Sequence, residues 1–380
     1  MTRICHFSSA HTDLDIRIYL KECVSLAKAG HDVHLVITAD DDAVREAASK
    51  GVKLHPLMPV TNRFERMVLR AWRCFRKARS LDADVYHFHD PELIPYGMWL
   101  ALSGKKVVYD VHEDVPKQTR SKAWIPAIVR APLAAAIALL EWFGARFFFF
   151  SVVGATPHIG GRFRRFNPRA LDINNFPLPG EFDARPIDWS AKLAHVTYAG
   201  GITRIRGIQQ LVQAMALVRS DARLQLAGPS YEPDLEREIK QDRGWSRVDE
   251  LGLLSRARVA EVLNRSVGGL VTFHPEPNHV DAQPNKMFEY MSAGVPLIAS
   301  DFPLWREIIE GAKCGICVDP LNPREIAEAI DYLVTHPAEA EQMGRNGQKA
   351  VAERYNWTIE EGKLLGLYRQ MTSAVARQNS

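Results

Sequence analysis

The chain alternates short apolar strands with amphipathic helices, and it does so twice. Residues 3–8, 32–38, 53–56, 85–88 and 106–110 read as strands. Helical patterns over 18–28, 42–50 and 64–79 lie among them, with Gly30 as a stop signal. Alternation of this kind builds a parallel sheet covered by helices. It halts in 174–190, which carries Pro177, Pro179, Gly180 and Pro186 and reads as an interdomain linker. It then resumes with strands at 195–198, 223–227, near 248–251, 269–273 and 296–299. Helices over 208–218, 234–241, 255–264, 285–292 and 303–310 alternate with them, and helices over 323–335, 337–355 and 358–376 end the chain. The expected fold class is α/β, with two tandem Rossmann-like doubly wound domains, 1–180 and 190–356, facing a central cleft. Ligands of such sheets sit at the carboxyl ends of the strands.

Composition narrows the class. Of 380 residues, 46% are apolar and 24% charged, the balance of a globular protein. A net charge of +3 gives no bulk pull toward nucleic acid, and no nucleic-acid reading motif is present. Five scattered cysteines argue against a disulfide framework. Cys314 and Cys317 form a CxxC without a second ligand pair, so they predict a turn and not a zinc site. The N-terminus lacks the apolar core of a signal peptide. The longest apolar stretch, about 123–153, is interrupted by Arg130, Pro132, Glu141 and Arg146. It predicts a helix over 128–143 and a buried strand over 147–153, not a membrane span. A reducing, cytoplasmic setting is the expectation.

Two blocks carry chemistry. In Pro284-Asn-Lys-Met-Phe-Glu a helix begins at Asn285. The free N–H groups and dipole of a helix start suit a phosphate, and Lys286 adds a full charge. Glu289, one turn on, can accept hydrogen bonds from two ribose hydroxyls. In Tyr198-Ala-Gly-Gly-Ile-Thr-Arg-Ile-Arg-Gly207 a strand runs into a glycine turn and then basic residues. Gly200 and Gly201 let the backbone approach a ligand, and Arg206 and Arg204 are placed to clamp a diphosphate. As bland readings, Glu289 is a solvated helix residue and the arginines a solvated loop. The triplet Asp40-Asp41-Asp42, like Asp13/Asp15 and Asp82/Asp84, has metal-motif spacing, but a turn and helix cap explain the triplet better. Arg63, Arg66, Arg70, Arg73, Arg76, Lys77 and Arg79, interleaved with Trp72 and Phe75, predict a basic helix suited to an anionic membrane surface. A solvated basic face is the alternative. The apolar segment 124–143 adds possible contact.

These motifs resemble the retaining glycosyltransferases of the GT-B fold, specifically the GT4 family, in its bacterial surface-polysaccharide branch. Gly200 matches the first glycine of the family strand–loop, Arg206 stands at its lysine and Gly207 follows. Gly201 stands where the family carries arginine. Glu289, before Ala293-Gly294-Val295-Pro296, matches the second of two family glutamates eight apart. The first falls on Asp281, with Glu276 as a fallback. The resemblance continues through 318–324 and 355–358 and implies that the final helix, within 357–380, returns to the N-terminal domain. In the N-terminal half it rests on His11…Asp15-Ile-Arg17, Tyr86-His-Phe-His-Asp-Pro-Glu-Leu93 and Tyr109-Asp-Val-His-Glu-Asp114.

The resemblance implies transfer of a hexose-type sugar from a nucleotide diphosphate (UDP or GDP) to a glycan or lipid-linked saccharide, with retention. His112 falls where the family contacts the donor sugar, and Asp281, His89 and Asp90 complete the catalytic candidates. Gly200, Gly201, Arg204, Arg206, Asn285, Lys286 and Glu289 are the donor-binding candidates, and His11, Asp15 and Arg17 mark the acceptor side. No metal or other cofactor is expected. The expected location is cytoplasmic, at the inner face of the cell membrane if the basic helix docks there. A nucleotide-sugar 2-epimerase of the same fold and a non-catalytic sugar-nucleotide binder are the alternatives.

Overall fold

The computed structural model describes residues 1–12, 14–59, 65–122, 125–182 and 187–376. The chain divides into two compact units, Met1–Asn175 with Trp357–Ser380, and Phe176–Asn356. The first thus ends a few residues before the boundary the linker composition suggested.

The N-terminal unit holds seven parallel strands: β1 (Arg3–Thr12), β2 (Asp32–Thr38), β3 (Val52–Leu57), β4 (Val85–Phe88), β5 (Lys106–Val111), β6 (Ser151–Gly154) and β7 (Leu171–Asp172). Their spatial order is β3-β2-β1-β4-β5-β6-β7. The order reverses between β1 and β4, and a reversal opens a crevice at the strands' carboxyl ends. The register aligns Phe7 of β1 with Phe88 of β4, and Phe88 with Tyr109 of β5. His89 and His112 follow β4 and β5, and His11 lies near the end of β1, all toward the carboxyl ends of neighbouring strands.

Helix α1 begins with a π-helical stretch, Ile16–Cys23, and continues as Val24–Lys28. Asp15 is its N-cap, accepting from the backbone N–H of Arg17 and Ile18 at 2.8 Å each. Helix α2 (Asp41–Ser49) is capped by Asp40, which accepts from Ala43 N–H at 2.8 Å, as a cap reading of the aspartate triplet requires. Helices α3 (Ala71–Ser80), α4 (Ile94–Leu102) and α5 (Ala127–Phe147) follow.

Helix α5 corrects the sequence expectation. It has 21 residues, runs through Phe147, and by length and composition is apolar enough to cross a membrane. The following strand starts only at Ser151. Arg63 and Phe64 of the basic segment, Trp124 of the apolar one and Asp13 lie outside the described residues. A second correction concerns Arg70, which is buried and does not belong to a solvated basic face.

The C-terminal unit repeats the scheme with six parallel strands: β8 (Leu193–Ala199), β9 (Arg223–Ala227), β10 (Val248–Gly252), β11 (Ser266–Val271), β12 (Leu297–Ser300) and β13 (Gly315–Val318). Their order is β10-β9-β8-β11-β12-β13, with the reversal between β8 and β11. Helices α6 (Ile208–Met215), α7 (Arg256–Asn264) and α8 (Asn285–Ser292) frame the loops described below. Buried Val196, Tyr198, Leu224, Leu270, Leu297 and Trp305 belong to one continuous core. The last helix, α9 (Trp357–Ala376), belongs to the N-terminal unit, where Trp357 donates from its indole N–H to Ser25 Oγ at 3.0 Å.

Candidate active site

In the C-terminal unit the two loops at the strand reversal come together. After β8 the chain turns at Gly200 (φ 143°), and Gly207 (φ 77°) starts α6. Both glycines are required. A Cβ on Gly207 would meet Thr272 O at 2.0 Å, and one on Gly200 would meet Lys286 Nζ at 2.5 Å. Lys286, in the first turn of α8, thus rests its ammonium against the glycine turn and 3.9 Å from the centroid of the Tyr198 ring. That ammonium is buried and has no hydrogen-bond partner among the described residues. Burial and the neighbouring Arg206 charge together hold its pKa well below the usual lysine value. Asn278 Oδ1 and Gln283 Oε1 are also buried and unpartnered, in the loop leading to Lys286. Three such atoms in one short segment mark a place built for a ligand, because folded proteins rarely leave buried polar atoms unsatisfied.

Arg206 lies beside this turn, with Nη1 3.4 Å from Gly201 O and its guanidinium 5.7 Å from the Phe273 ring centroid. At Gly201, the position where the family carries arginine, a Cβ would stand only 3.0 and 3.1 Å from Arg206 and the Tyr231 ring, so a side chain there would press on both. Arg204 is not part of the group. Its side chain turns to Glu238 (2.8 Å) and Gln209, so the expected second clamp is engaged elsewhere.

Asn285 opens α8 and is exposed. Glu289 is half-buried and accepts from Arg256 Nη2 at 3.1 Å. Arg256 also bonds Glu181 and stacks 5.1 Å from the Phe182 ring centroid. Arg256 is a positioning group that sequence reasoning missed, since it lies 33 positions from Glu289. Asp281 closes the one-turn helix Pro277–Val280, and Glu276 is that helix's N-cap residue. Trp305 pins the loop by donating to Ala282 O at 2.7 Å.

In the N-terminal unit the candidates form two carboxylate–imidazole pairs. Asp90, after β4, accepts from Ser8 Oγ (2.7 Å), Ser9 N (2.6 Å) and Ala10 N (3.1 Å), and faces His11 Nδ1 at 3.3 Å. Burial opposes its charge, but His11 and these donors hold its pKa well below the usual carboxylate value. Asp110, inside β5, faces His112 Nε2 at 2.9 Å and His89 Nδ1 at 3.1 Å. Arg17 grips the same carboxylate through Nε (2.9 Å) and Nη2 (2.7 Å). Burial opposes the charge here too, but Arg17 and then His112 win and hold Asp110 well below its ordinary range.

The roles expected for several of these residues change. Asp90 and His89 are buried and engaged by their neighbours, which fits positioning roles. Burial depresses His89 to about 4, against the pull of Asp110. Arg17 is likewise buried, bonding Ile173 O at 2.7 Å, and Asp15 is spent on its helix cap. Neither reaches an acceptor. Of these histidines, His11 and His112 keep an accessible edge, with side chains 27% and 19% exposed.

Behind them Glu22, His87, His89 and Asp110 each bring a ligand-type atom within 4.8 Å of the others. Arg17 supplies one positive charge beside the two carboxylates Glu22 and Asp110. Burial and then Asp110 push the Glu22 carboxyl well above its ordinary value. Tyr368 of α9 closes this network, its hydroxyl 2.9 Å from His87 Nδ1 and 3.1 Å from His6 Nε2.

Two doubly wound units, one with a phosphate-type glycine turn, define the GT-B class of fold. Residues 181–350 match the profile of Glycosyl transferases group 1, and residues 20–148 that of Glycosyltransferase Family 4. The chain belongs to the GT4 family of glycosyltransferases. It is similar to an alpha-D-kanosaminyltransferase of Streptomyces kanamyceticus, 29% identical over 193 residues, which is 50% of this chain and 47% of that protein. The chain thus spans about half the length of the curated relatives it matches. The solved sucrose-phosphate synthase of Thermosynechococcus elongatus superposes with a TM-score of 0.73 at 17% identity, over 98% of this chain and 100% of that one. Anabaena HepE, solved in complex with UDP-glucose, superposes with a TM-score of 0.70 at 14% identity, over 99% and 100%. These two likenesses show the shared fold.

Proposed function

We propose that this protein transfers a hexose-type sugar, with retention, from a UDP- or GDP-linked donor to a glycan or lipid-linked saccharide. The observation that carries the reading is the unpartnered, buried ammonium of Lys286 against the glycine turn, with Arg206 beside it. A diphosphate supplies the missing acceptors. As the glycosidic bond breaks, charge builds on the departing diphosphate, so these cations stabilise the transition state more than the ground state. Two side-chain cations do the work here, and the reading needs no metal at the diphosphate. Glu289, aimed by Arg256, receives the ribose hydroxyls. Family membership supports the sugar-nucleotide class and retention, and HepE's complex with UDP-glucose supports a uridine donor.

Calorimetric titration of UDP and GDP tests the site. Glu289→Ala should weaken the preferred nucleotide by about 1.5–3 kcal/mol, the worth of hydrogen bonds to a charged group. Unchanged affinity would remove Glu289 from the ribose.

The lipid-linked acceptor draws support from one face of the N-terminal unit. Ile128, Leu139, Trp142, Phe143 and Phe147 of α5 are exposed. Helix α4 packs against α5, and its Trp99 and Tyr96 meet Phe75 of α3. Exposed Arg73, Arg76 and Arg79 lie on α3, and Arg146 stacks 5.3 Å from the Phe147 ring centroid. Exposed apolar and aromatic groups accompanied by exposed arginines fit an anionic lipid interface. Arg73→Glu with Arg76→Glu should weaken binding to phosphatidylglycerol vesicles by roughly 2 kcal/mol, at about 1 kcal/mol per basic residue. Leu139→Asp with Phe143→Asp should weaken it as well. Sedimentation in which the unsubstituted protein stays with the supernatant would end the membrane reading.

A further inference from the structure

We infer that a cavity beneath α7 of the C-terminal unit is an effector site for a small amphipathic carboxylate, and that its filling is felt at the donor site through Arg256. Helix α7 packs against β8 and β11, yet only Leu263 of its nine residues is buried. By contrast, α6 and α8 each bury five of eight. Under α7 lies a cavity of 620 Å³, within the range of small-molecule sites. Its floor is polar, formed by His195 of β8 and Gln225 of β9. Gln225 donates to Asp249 of β10, which Arg223 Nε also holds at 3.1 Å, so the nearby carboxylate is already paired. Leu251, Leu254 and Val262 give the cavity an apolar wall.

The lining selects the ligand. Arg258 pairs with Glu261, so their charges cancel. Arg265 also lines the cavity and has no carboxylate partner among the described residues. It lies close enough to His195 to act on the ring's charge. Burial holds His195 below its ordinary value, so at neutral pH the ring offers one N–H. A guanidinium and an N–H suit the two oxygens of a carboxylate, and one spare cation matches a single negative charge better than the roughly double charge of a phosphate monoester. The wall of leucines and valine takes an apolar body. Helix α7 then connects the cavity to Glu289. Leu254 lines the cavity just before Arg256, which opens α7 and holds both Glu181 and Glu289, the latter at 3.1 Å. A ligand that supplies the packing α7 lacks therefore fixes the carboxylate assigned to the ribose. The cavity stands on its own geometry, and only its effect on nucleotide affinity rests on the glycosyltransferase reading.

The probe is octanoate, with octylammonium as the control of opposite charge, on full-length protein carrying labelled leucine and valine methyls and labelled arginine side chains. Octanoate should move the Leu251, Leu254 and Val262 methyls together. Without any nucleotide it should also move the Arg256 Nε–H resonance, assigned through Arg256→Met. Octylammonium should bind roughly tenfold more weakly, and Arg265→Glu should weaken octanoate by a similar factor. Val262→Trp, which fills the cavity, should abolish octanoate binding. Saturating octanoate should tighten UDP or GDP about fivefold, and Arg256→Met should erase that gain while still binding octanoate. Unmoved methyls at millimolar octanoate, equal binding of octylammonium, or octanoate binding that survives both Arg265→Glu and Val262→Trp would overturn the site. Bound octanoate with an unmoved Arg256 resonance, or with unchanged affinity for a nucleotide that does bind, would overturn the coupling. An Arg256 resonance that answers octanoate in a protein binding neither UDP nor GDP would sink the donor reading and leave the cavity site standing.

Discussion

Lys286→Met is expected to lose about 100-fold in affinity for its nucleoside diphosphate and, at the same time, to melt at a higher temperature than the unsubstituted protein when free. The two effects share one cause. The Lys286 ammonium is buried with no hydrogen-bond partner, so the free protein carries an uncompensated cost that methionine, of similar length, removes. The diphosphate satisfies that ammonium, so nearly all of its interaction energy appears on binding. A charge-assisted hydrogen bond contributes about 1.5–3 kcal/mol, and about 2.7 kcal/mol corresponds to 100-fold.

The pH dependence has two opposite signs. Burial and Arg206 depress the folded-state pKa of Lys286 below its unfolded value, so the unfolded chain binds more protons there. Stability of the free protein from this group therefore rises with pH between the two values. Affinity for the diphosphate falls over the same window, because the bound state needs the charged form. Binding should take up protons, visible as a dependence of the calorimetric enthalpy on the buffer's ionisation enthalpy. Equal enthalpies in phosphate-free buffers of different ionisation enthalpy would show that Lys286 is already charged before binding.

Arg17→Met is expected to be the most destabilising single change in the N-terminal unit, by about 3–5 kcal/mol. It removes the guanidinium that bonds both Asp110 oxygens and lies 3.4 Å from Glu22 Oε1, and it leaves the Asp110 carboxylate buried without its cation. By comparison, losing the Asp15 cap should cost only about 1 kcal/mol. Urea denaturation followed by tryptophan fluorescence measures both. A loss for Arg17→Met no larger than that for Asp15→Ala would mean the buried cluster is held by other contacts.

The alternation of strands and helices was legible because buried parallel strands read as short apolar runs, and residues 85–88 were placed at the strand's own bounds. The glycine turn and the start of α8 were legible for a similar reason, since the residue types a tight turn and a helix start demand are local. What pairs across the fold was not. Arg17 and Asp110 are 93 positions apart, and nothing in either segment announces the other. Asp90 and His89 looked like catalytic groups because they end a strand, yet burial makes them supports. Helix α5 was read too short because the apolar run 147–153 reads as a buried strand, and a membrane span was set aside because Arg130 and Glu141 interrupt the apolar stretch. In the fold Glu141 turns inward to Arg162 at 2.9 Å, and Arg130 folds back onto Ile125 O at 2.7 Å, so the exposed face stays apolar. Arg204 failed for the same kind of reason, since a partner distant in sequence, Glu238, draws it away.

The most direct measurement of the central claim is release of free nucleotide from a panel of UDP- and GDP-linked hexoses by purified protein, with and without a membrane extract as acceptor source. The account predicts that one nucleotide class is turned over, faster with the extract, and that Lys286→Met abolishes the release. Conversion of the sugar within an intact nucleotide sugar, or no turnover of any donor by a protein that still binds UDP or GDP, would contradict it.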